Sequence, residues 1–299
     1  MEPASDTDQA SKAIPIVSIK PMTIAVTDRT QTHILFPQSA SEAVALAVRH
    51  QAPYIAGATA LQLSWNKTAN WPTQAIALSG LSELIGCKRL ASSWQLGALT
   101  SLAELANNRA LAEDMPLLSQ AAVSVGAAGV RQLGTLAGNI GFAGDLLPSL
   151  LVLDTQVLWI DRHGRSQQQP LTQWLEAPQS QGLITALQIP VPLAGSLTRM
   201  EKLASRSAFN PPLLNVASLQ CWQEGQLQKL RLAIGGNAIQ PCLLPISPHF
   251  LPLQDSRRVL NTALRATLDS ILPLGCAQRD YLISAGANLL CDQLSPDLS

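Results

Sequence analysis

Apolar and polar positions in the first part of the chain follow helical and strand periods in turn. The stretch "SEAVALAVRH" predicts a helix over 41–50 with alanine and valine on one face, and Ser39 and Glu42 have the spacing of a capping box. The next apolar stretch, "PYIAGATALQL", predicts a short strand that breaks at Gly57 and opens into a helix or turn. Together these elements predict a βαβ-type opening.

The middle of the chain continues to mix strands and helices. Strands are predicted near "AIALSG", over 94–99, in "QVLWID" and in "LITALQIPVP", with "RHGR" as a hairpin turn after "QVLWID". The stretch "TSLAELANNRALAEDMPLLSQAAVSVG" predicts helix interrupted at Pro116, and "LLPSLLVLD" predicts a helix that tolerates Pro148 in its first turn.

The pattern changes after two prolines, Pro190 and Pro192, where a domain boundary is expected. The stretch "KLASRSAFNPPLLNVASLQCW" is predicted to enter a strand, and "LQKLRLAIGGNAIQP" is predicted to be a second strand that closes on glycines, followed by helices near 255–272 and 277–293. This order is typical of a compact α+β unit. At the other end, the polar and acidic residues 1–15 predict a disordered tail.

Composition narrows the class of protein. Hydrophobic residues make up 47% and charged residues 13% of the 299 positions, which favours either one large core or apolar surface covered by a partner or ligand. A net charge of zero argues against a nucleic-acid-binding surface. No apolar run reaches the ~18 residues of a membrane span, and the N-terminus has no secretory pattern, so a cytoplasmic protein is expected.

Cysteine and histidine spacing argues against a metal site or a disulfide framework in this chain. The four histidines form no HxH or HxxxH pair, and the cysteines form no CxxC pair. The same spacing cannot hold an iron–sulfur cluster. Five reduced and mostly buried thiols are therefore expected: Cys87, Cys221, Cys242, Cys276 and Cys291.

Two short loops and two charged residues carry the candidate chemistry. The loops "AGAT" at 56–59 and "TLAGN" at 135–139 are each predicted to follow an apolar strand, and their small residues let backbone amides approach a phosphate. Either loop is equally explained as a tight strand-to-helix turn that binds nothing. Asp145 precedes a helix, so it is a candidate N-cap, a ligand contact, or both. Lys202, taken alone, is predicted to be an exposed lysine.

The order of these segments resembles the FAD-binding subunit of molybdenum hydroxylases, the family of the xanthine dehydrogenase and carbon monoxide dehydrogenase medium subunits. In that family "AGGTDL" is followed by "TLGGN" and "DLLPALLALDA". The counterparts here are "AGATAL" at 56–61, "TLAGN" at 135–139 and "DLLPSLLVLD" at 145–154. The resemblance continues through "ALQIPVP", "EKLASRSAFN" and "LAIGGNAIQP" and covers nearly the whole chain from about residue 16.

The resemblance implies an α+β fold. A two-subdomain FAD-binding domain of the vanillyl-alcohol-oxidase or PCMH type is expected over 16–195, with subdomains of about 16–75 and 76–195. A small α+β C-terminal domain is expected over 198–299.

The resemblance also implies which residues bind FAD. The two loops would wrap the pyrophosphate and adenosine, and Asp145 would accept hydrogen bonds from the flavin side. Lys202 would place a positive charge near the ring, which favours the anionic reduced flavin. The expected binding residues are Tyr54, Ile55, Ala56, Gly57, Ala58, Thr59, Ala60, Leu61, Leu96, Thr135, Leu136, Ala137, Gly138, Asn139, Asp145, Ile184 and Lys202.

In function, the resemblance implies an oxidoreductase subunit that receives electrons and needs no catalytic base or nucleophile of its own. Substrate would be hydroxylated at a molybdenum cofactor in a molybdopterin-binding large subunit, and electrons would pass through the [2Fe–2S] clusters of a small subunit. They would reach FAD here and leave to NAD⁺ or another acceptor.

The chain departs from the family pattern at Ala58, Ala60 and Ala137, and the segment before "GDLLP" is a few residues shorter. An alanine in place of glycine is tolerated at negative φ and costly at positive φ. These departures leave open a structural subunit of the same complex that has lost its flavin. A stand-alone flavin reductase on the same fold is a third possibility, although the C-terminal unit resembles the hydroxylase subunit.

Overall fold

Three β-sheets organise the residues that the computed structural model describes, which are 32–62, 72–177, 182–204, 212–224, 226–237, 239–246 and 257–294. The predicted tail 1–15 lies outside the described residues, as do residues 16–31 and residues 205–210 of the "EKLASRSAFN" segment. All described residues belong to one compact unit, Thr32–Ser299. The domain bounds inferred from sequence stay predictions.

The first sheet is small and parallel, with strand order β1-β3-β2. It contains β1 (His33–Leu35), β2 (Tyr54–Ile55) and β3 (Gln74–Ala77), and helix α1 (Ala40–His50) connects β1 to β2. Its sequence-predicted βαβ-type order is confirmed, with β3 inserted between the first two strands.

The capping of α1 follows the predicted pattern with one change. Ser39 accepts a hydrogen bond from the Glu42 amide at 3.1 Å, as expected for an N-cap. The Glu42 carboxylate accepts from the amide of Gln38 at 2.7 Å, whereas a standard capping box returns this bond to the cap residue. Both bonds hold the chain at the start of the helix.

The second sheet is antiparallel and has the strand order β4-β5-β8-β6-β7. The strands predicted at 94–99, "QVLWID" and "LITALQIPVP" and the hairpin turn are confirmed. Asp161 closes that turn by accepting from the amides of His163 and Arg165, each at 2.9 Å. The bounds are β4 (Cys87–Arg89), β5 (Ser93–Gly97), β6 (Gln156–Ile160), β7 (Ser166–Pro170) and β8 (Leu183–Pro190).

Short helices fill the long connection between β5 and β6. The helical stretch predicted to break at Pro116 does so, and it also breaks at Asn108, whose side chain accepts from the Leu111 amide at 3.1 Å and caps the next helix. The bounds are α2 (Leu102–Asn107), α3 (Arg109–Asp114), α4 (Pro116–Ser124), α5 (Ala128–Leu133), α6 (Leu136–Gly141) and α7 (Leu147–Val152), with α8 (Leu171–Glu176) after β7.

The third sheet is antiparallel, with strand order β12-β11-β10-β9. One face packs against two C-terminal helices through Leu214 and Val216, and the other face joins the main core through Ala217 and Ala233. Strand β10 is therefore covered on both sides. The bounds are β9 (Leu197–Leu203), β10 (Leu214–Gln223), β11 (Gln226–Gly236), β12 (Ile239–Leu243), α9 (Arg257–Ile271) and α10 (Arg279–Leu294). Within the described part of the chain, no helix combines the length and apolar character of a membrane span.

Helix α7 connects the third sheet to the rest of the core. All of its residues are buried, and Pro148 begins it in the first turn as predicted. The helix contacts β10, β11 and β12, and Arg231 on β11 donates to the Leu151 carbonyl at 2.9 Å. Because α7 immediately follows Asp145, its packing sets where that carboxylate lies.

We expect Leu150→Ala to lower the free energy of unfolding by about 2–5 kcal/mol, because Leu150 is fully buried and its truncation leaves a cavity in the main core. Chemical denaturation of the purified chain measures this change. Leu274→Ala is the matched control, since Leu274 is 91% exposed and its truncation should change stability by less than about 0.5 kcal/mol. Equal effects of the two substitutions would contradict the central position of α7.

Candidate functional site

The first loop leaves strand β2 and enters a short helical turn. Tyr54 and Ile55 form the strand, and residues 59–62 are helical. The amides of residues 57–60 have no acceptor among the described residues, so four successive N–H groups are available to a ligand. Burial raises the pKa of Tyr54 well above its ordinary value, so this phenol stays neutral.

The structure brings the two predicted loops into direct contact. A Cβ atom placed on Gly57 would lie 1.6 Å from the carbonyl oxygen of Leu133, so no larger residue fits there without moving the backbone. Leu133 and Gly134 lead directly into Thr135. Gly57 is therefore required for the close approach of one loop to the other, whereas its predicted approach to a phosphate stays a prediction.

The second loop differs from its prediction in two respects. It follows helix α5, so the expectation that it follows an apolar strand is wrong, and it forms the first turn of helix α6. Its amides already have acceptors: Leu136 donates to the Thr100 carbonyl at 3.0 Å and Ala137 to the Ala98 carbonyl at 2.9 Å. The Gly138 amide donates to the hydroxyl of Thr135, the N-cap, at 3.1 Å. The Thr135 hydroxyl keeps its own proton to donate.

Asn139 holds the shortened segment that follows α6. Its backbone carbonyl accepts from the Gly144 amide at 2.8 Å, and its side-chain oxygen accepts from the Leu146 amide at 3.1 Å. A Cβ on Gly144 would lie 2.4 Å from the Asn139 side chain, so glycine is needed at 144. Within this tight segment Ala143 has φ +53° and Phe142 is 56% exposed.

Asp145 and Lys202 form an ion pair at the end of this segment. The Lys202 Nζ lies 2.5 Å from a carboxylate oxygen of Asp145 and also donates to the Ser124 carbonyl at 3.2 Å. The side chains are 13% and 19% exposed for Asp145 and Lys202, respectively. The prediction of an exposed lysine is wrong, because the ion pair and α4 cover it. Asp145 is also not an N-cap, since Leu146 holds that position before α7.

One polar residue of this region was missed by sequence reasoning. Asn215 on β10 is in register with Lys202 on β9, and its Nδ2 donates to the backbone carbonyl of Asp145 at 3.4 Å. It is 2% exposed, and its Oδ1 has no partner among the described residues. The available signal was a single amide within the apolar run "LLNVAS", which marks a buried polar group.

Leu96 and Ile184 lie within the main hydrophobic core. Leu96 on β5 is fully buried, and Ile184 on β8 is 9% exposed. In this conformation Leu96 offers no exposed surface to a ligand. The prediction that both residues pack on a cofactor stays a prediction.

Cysteine chemistry does not contribute to the site. The cysteines form no disulfide bond, and burial, with the nearby Glu104 carboxylate, raises the pKa of Cys87 to about 11. A thiol with this pKa is protonated at neutral pH and is a poor nucleophile. Among the described residues, no cluster of three or more histidine, cysteine, aspartate or glutamate side chains could hold a metal ion.

A family model described as "FAD binding domain in molybdopterin dehydrogenase" matches residues 29–192, more than half of the chain. The chain belongs to this family. FAD is the cofactor that the domain of this family binds, as the sequence resemblance implied. The curated "Nicotinate dehydrogenase FAD-subunit" of Eubacterium barkeri is 28% identical over 166 residues, which are 52% of this chain. That match spans 56% of the relative, so the chain covers little more than half of its length.

Solved structures share the fold across most of the chain. One such structure is a chain of carbon monoxide dehydrogenase from Hydrogenophaga pseudoflava, with a TM-score of 0.77 at 18% identity. The matched region covers 88% of the present chain and 95% of the carbon monoxide dehydrogenase chain. Quinoline 2-oxidoreductase from Pseudomonas putida 86 gives the same TM-score, identity and coverage. The fold is α+β, with helices packed on one parallel and two antiparallel sheets, and its division into domains stays a prediction.

Ala58 adopts the left-handed conformation that its family pattern assigns to glycine. Its φ is +55°, a region in which an alanine costs roughly 1–2 kcal/mol relative to its preferred conformations. Ala60, two residues later, lies in the helical turn and has no such strain. The two alanines that depart from the family pattern in this loop are thus physically different.

We expect Ala58→Gly to raise the free energy of unfolding by up to about 1 kcal/mol, since glycine accepts positive φ without steric cost. The matched control, Ala60→Gly, should lower it by about 0.5–1 kcal/mol because glycine is unfavourable within a helix. Thermal and urea denaturation of both variants measure the two values. Changes of the same sign would show that Ala58 is not strained.

Proposed function

We propose that this chain is the FAD-binding electron-transfer subunit of a xanthine dehydrogenase-like molybdenum hydroxylase. Electrons would arrive from the [2Fe–2S] clusters of a small subunit, after substrate oxidation at a molybdenum cofactor in a large subunit. They would leave to NAD⁺ or another acceptor. The observation that carries this proposal is the family match over residues 29–192. The curated FAD-subunit relative and the shared fold support it.

The first loop offers more free hydrogen-bonding groups to a ligand than the second loop does. The amides of residues 57–60 are free in the described structure and suit the negative charge of a pyrophosphate. Those of 136–138 are already bonded, so the second loop would contribute mainly the Thr135 hydroxyl and a close backbone surface. The remaining proposed contacts are Tyr54, Ile55, Ala56, Leu61, Leu96, Asn139 and Ile184.

Asp145 and Lys202 would act on the flavin half of the cofactor. A carboxylate suits ribityl hydroxyl donors, and an ammonium group favours the electron-rich reduced ring. Because the two groups form an ion pair, each limits the charge that the other presents to a ligand. Bound FAD supplies the two-electron chemistry, while the chain's own residues bind it, orient it and set the charge around it.

A flavin-less structural subunit is the second candidate, and two observations favour it. The amides of 136–138, which would face a phosphate in a binding loop, are fully engaged within the protein. The strained Ala58 points the same way, because glycine at that position would let the backbone approach a ligand without strain. A fold satisfied in this way can persist without the cofactor.

Titration of the purified chain with FAD tests the proposal directly. We expect binding near one FAD per chain, with the absorbance of oxidised flavin retained after gel filtration. Co-expression with a molybdopterin-type large chain and a [2Fe–2S] small chain should give a complex that reduces the bound flavin when substrate is added. A complex that assembles with no flavin would instead establish the structural subunit.

Charge substitutions at the ion pair should shift the midpoint potential of bound FAD in opposite directions. Lys202→Met removes the cation that favours the reduced flavin and should lower the potential by about 30 mV or more, whereas Asp145→Asn should raise it by a similar amount. Spectroelectrochemical titration of each variant measures the shift. Since general damage to the fold would not produce opposite signs, shifts in the same direction would argue against both roles.

A further inference from the structure

Asn215 carries a buried polar atom that the fold does not satisfy. Its Oδ1 has less than 1 Å² of exposed surface and no hydrogen-bond partner among the described residues. A buried carbonyl group without a partner destabilises the folded state, because it loses its hydrogen bonds to water and gains none in the protein. Since most buried polar groups are paired, such an atom next to a candidate binding site calls for a physical explanation.

The orientation of the Asn215 amide is set by its neighbour. Nδ2 donates to the Asp145 carbonyl, so exchanging the amide nitrogen and oxygen would place two acceptors against each other. Oδ1 is therefore the atom left without a partner. Register pairing puts Asn215 beside Lys202, on the face of the sheet that also carries Gly235 and packs against Pro148 of α7.

Around Asn215, one hydrogen-bond acceptor and one donor remain without a partner among the described residues. The Lys202 ammonium has three N–H groups, and two of them are taken by Asp145 and the Ser124 carbonyl. Asn215 Oδ1 can only accept a hydrogen bond. A ligand that supplies a hydroxyl or imide N–H beside a carbonyl oxygen would satisfy both Oδ1 and the remaining N–H of Lys202.

The riboflavin half of FAD has hydroxyl and imide N–H donors as well as carbonyl oxygens. In the proposed function, the ADP half would instead contact the free amides of residues 57–60. The ribityl chain provides hydroxyl donors, and the pyrimidine edge of the ring provides an N–H between two carbonyl groups. Because Oδ1 is enclosed in this conformation, a ligand reaches it only if a neighbour moves. A movement that keeps the Lys202–Asp145 pair in place would let one ligand meet both Oδ1 and the remaining N–H of Lys202.

We propose that Asn215 is a cofactor-binding residue whose Oδ1 accepts a hydrogen bond from the riboflavin half of FAD. This inference rests on the proposed function of the chain as a flavin-binding subunit. It adds a residue of the C-terminal sheet to the site, next to Asp145 and Lys202. It also explains why Oδ1 of Asn215 has no partner in the free protein, because FAD supplies the missing hydrogen-bond donor when it binds.

Strand β10 offers a matched control. Ser218 is fully buried, and its Oγ also has no partner among the described residues. Strand alternation places it on the opposite face, which packs against the C-terminal helices together with Val216. Ser218→Ala therefore removes an equivalent unsatisfied atom that lies away from the proposed cofactor.

The experiment compares wild type, Asn215→Leu and Ser218→Ala by calorimetric titration with FAD and with ADP, together with the melting temperature of each chain without ligand. For Asn215→Leu we expect FAD affinity to fall about tenfold while ADP affinity is unchanged. The melting temperature without ligand should stay close to that of wild type, because the substitution removes both the unsatisfied Oδ1 and the long Nδ2 hydrogen bond to the Asp145 carbonyl, and these losses act in opposite directions. Ser218→Ala should leave both affinities unchanged.

Three results would overturn the inference. Wild-type affinity for FAD in Asn215→Leu would show that Oδ1 makes no contact, and an equal loss of FAD and ADP affinity would show a general structural effect. If wild type itself binds no FAD, the proposed function fails and the inference fails with it. Should Asn215→Leu not fold, Asn215→Ala replaces it, because the smaller side chain cannot overpack the site.

Discussion

The ion pair between Lys202 and Asp145 is the interaction on which the geometry of this site depends. It joins strand β9 of the C-terminal sheet to the turn that precedes helix α7, and both side chains are largely buried. Removing one partner of a buried pair leaves an uncompensated charge, which typically costs about 3–5 kcal/mol. The pair therefore holds two parts of the fold together at the point where the proposed flavin half of the cofactor would bind.

Backbone contacts complete the site on the other side. Gly57 lies against the Leu133 carbonyl, and Asn139 closes the segment up to Leu146. In the first loop the amides of residues 57–60 have no acceptor among the described residues, whereas in the second loop the amides of residues 136–138 are hydrogen-bonded within the protein. Recognition of the cofactor is thus divided between a polar first loop, a closely packed second loop and charged or amide side chains near the C-terminal sheet.

Much of the fold could be predicted from sequence because its signals are local. The cap at Ser39, the strand "QVLWID" and the helix beginning near Pro148 each depend on a few neighbouring residues. The motif order also led to the family and to FAD. The apolar composition left open a large core or a covered surface, and the described residues do form hydrophobic clusters on the three sheets.

The errors arose where long-range packing decides the outcome. No local signal shows that Lys202 is covered by α4 or that Asp145 pairs with it instead of capping a helix, because these residues lie far apart in the chain. Likewise, φ at Ala58 and the free oxygen of Asn215 depend on the surrounding backbone. The sequence alone determined most element types and led to the family and its FAD-binding domain, because periodicity and short motifs depend on neighbouring residues. Only the tertiary structure decided which charges meet and which polar atoms remain for a ligand, because those depend on segments brought together by folding.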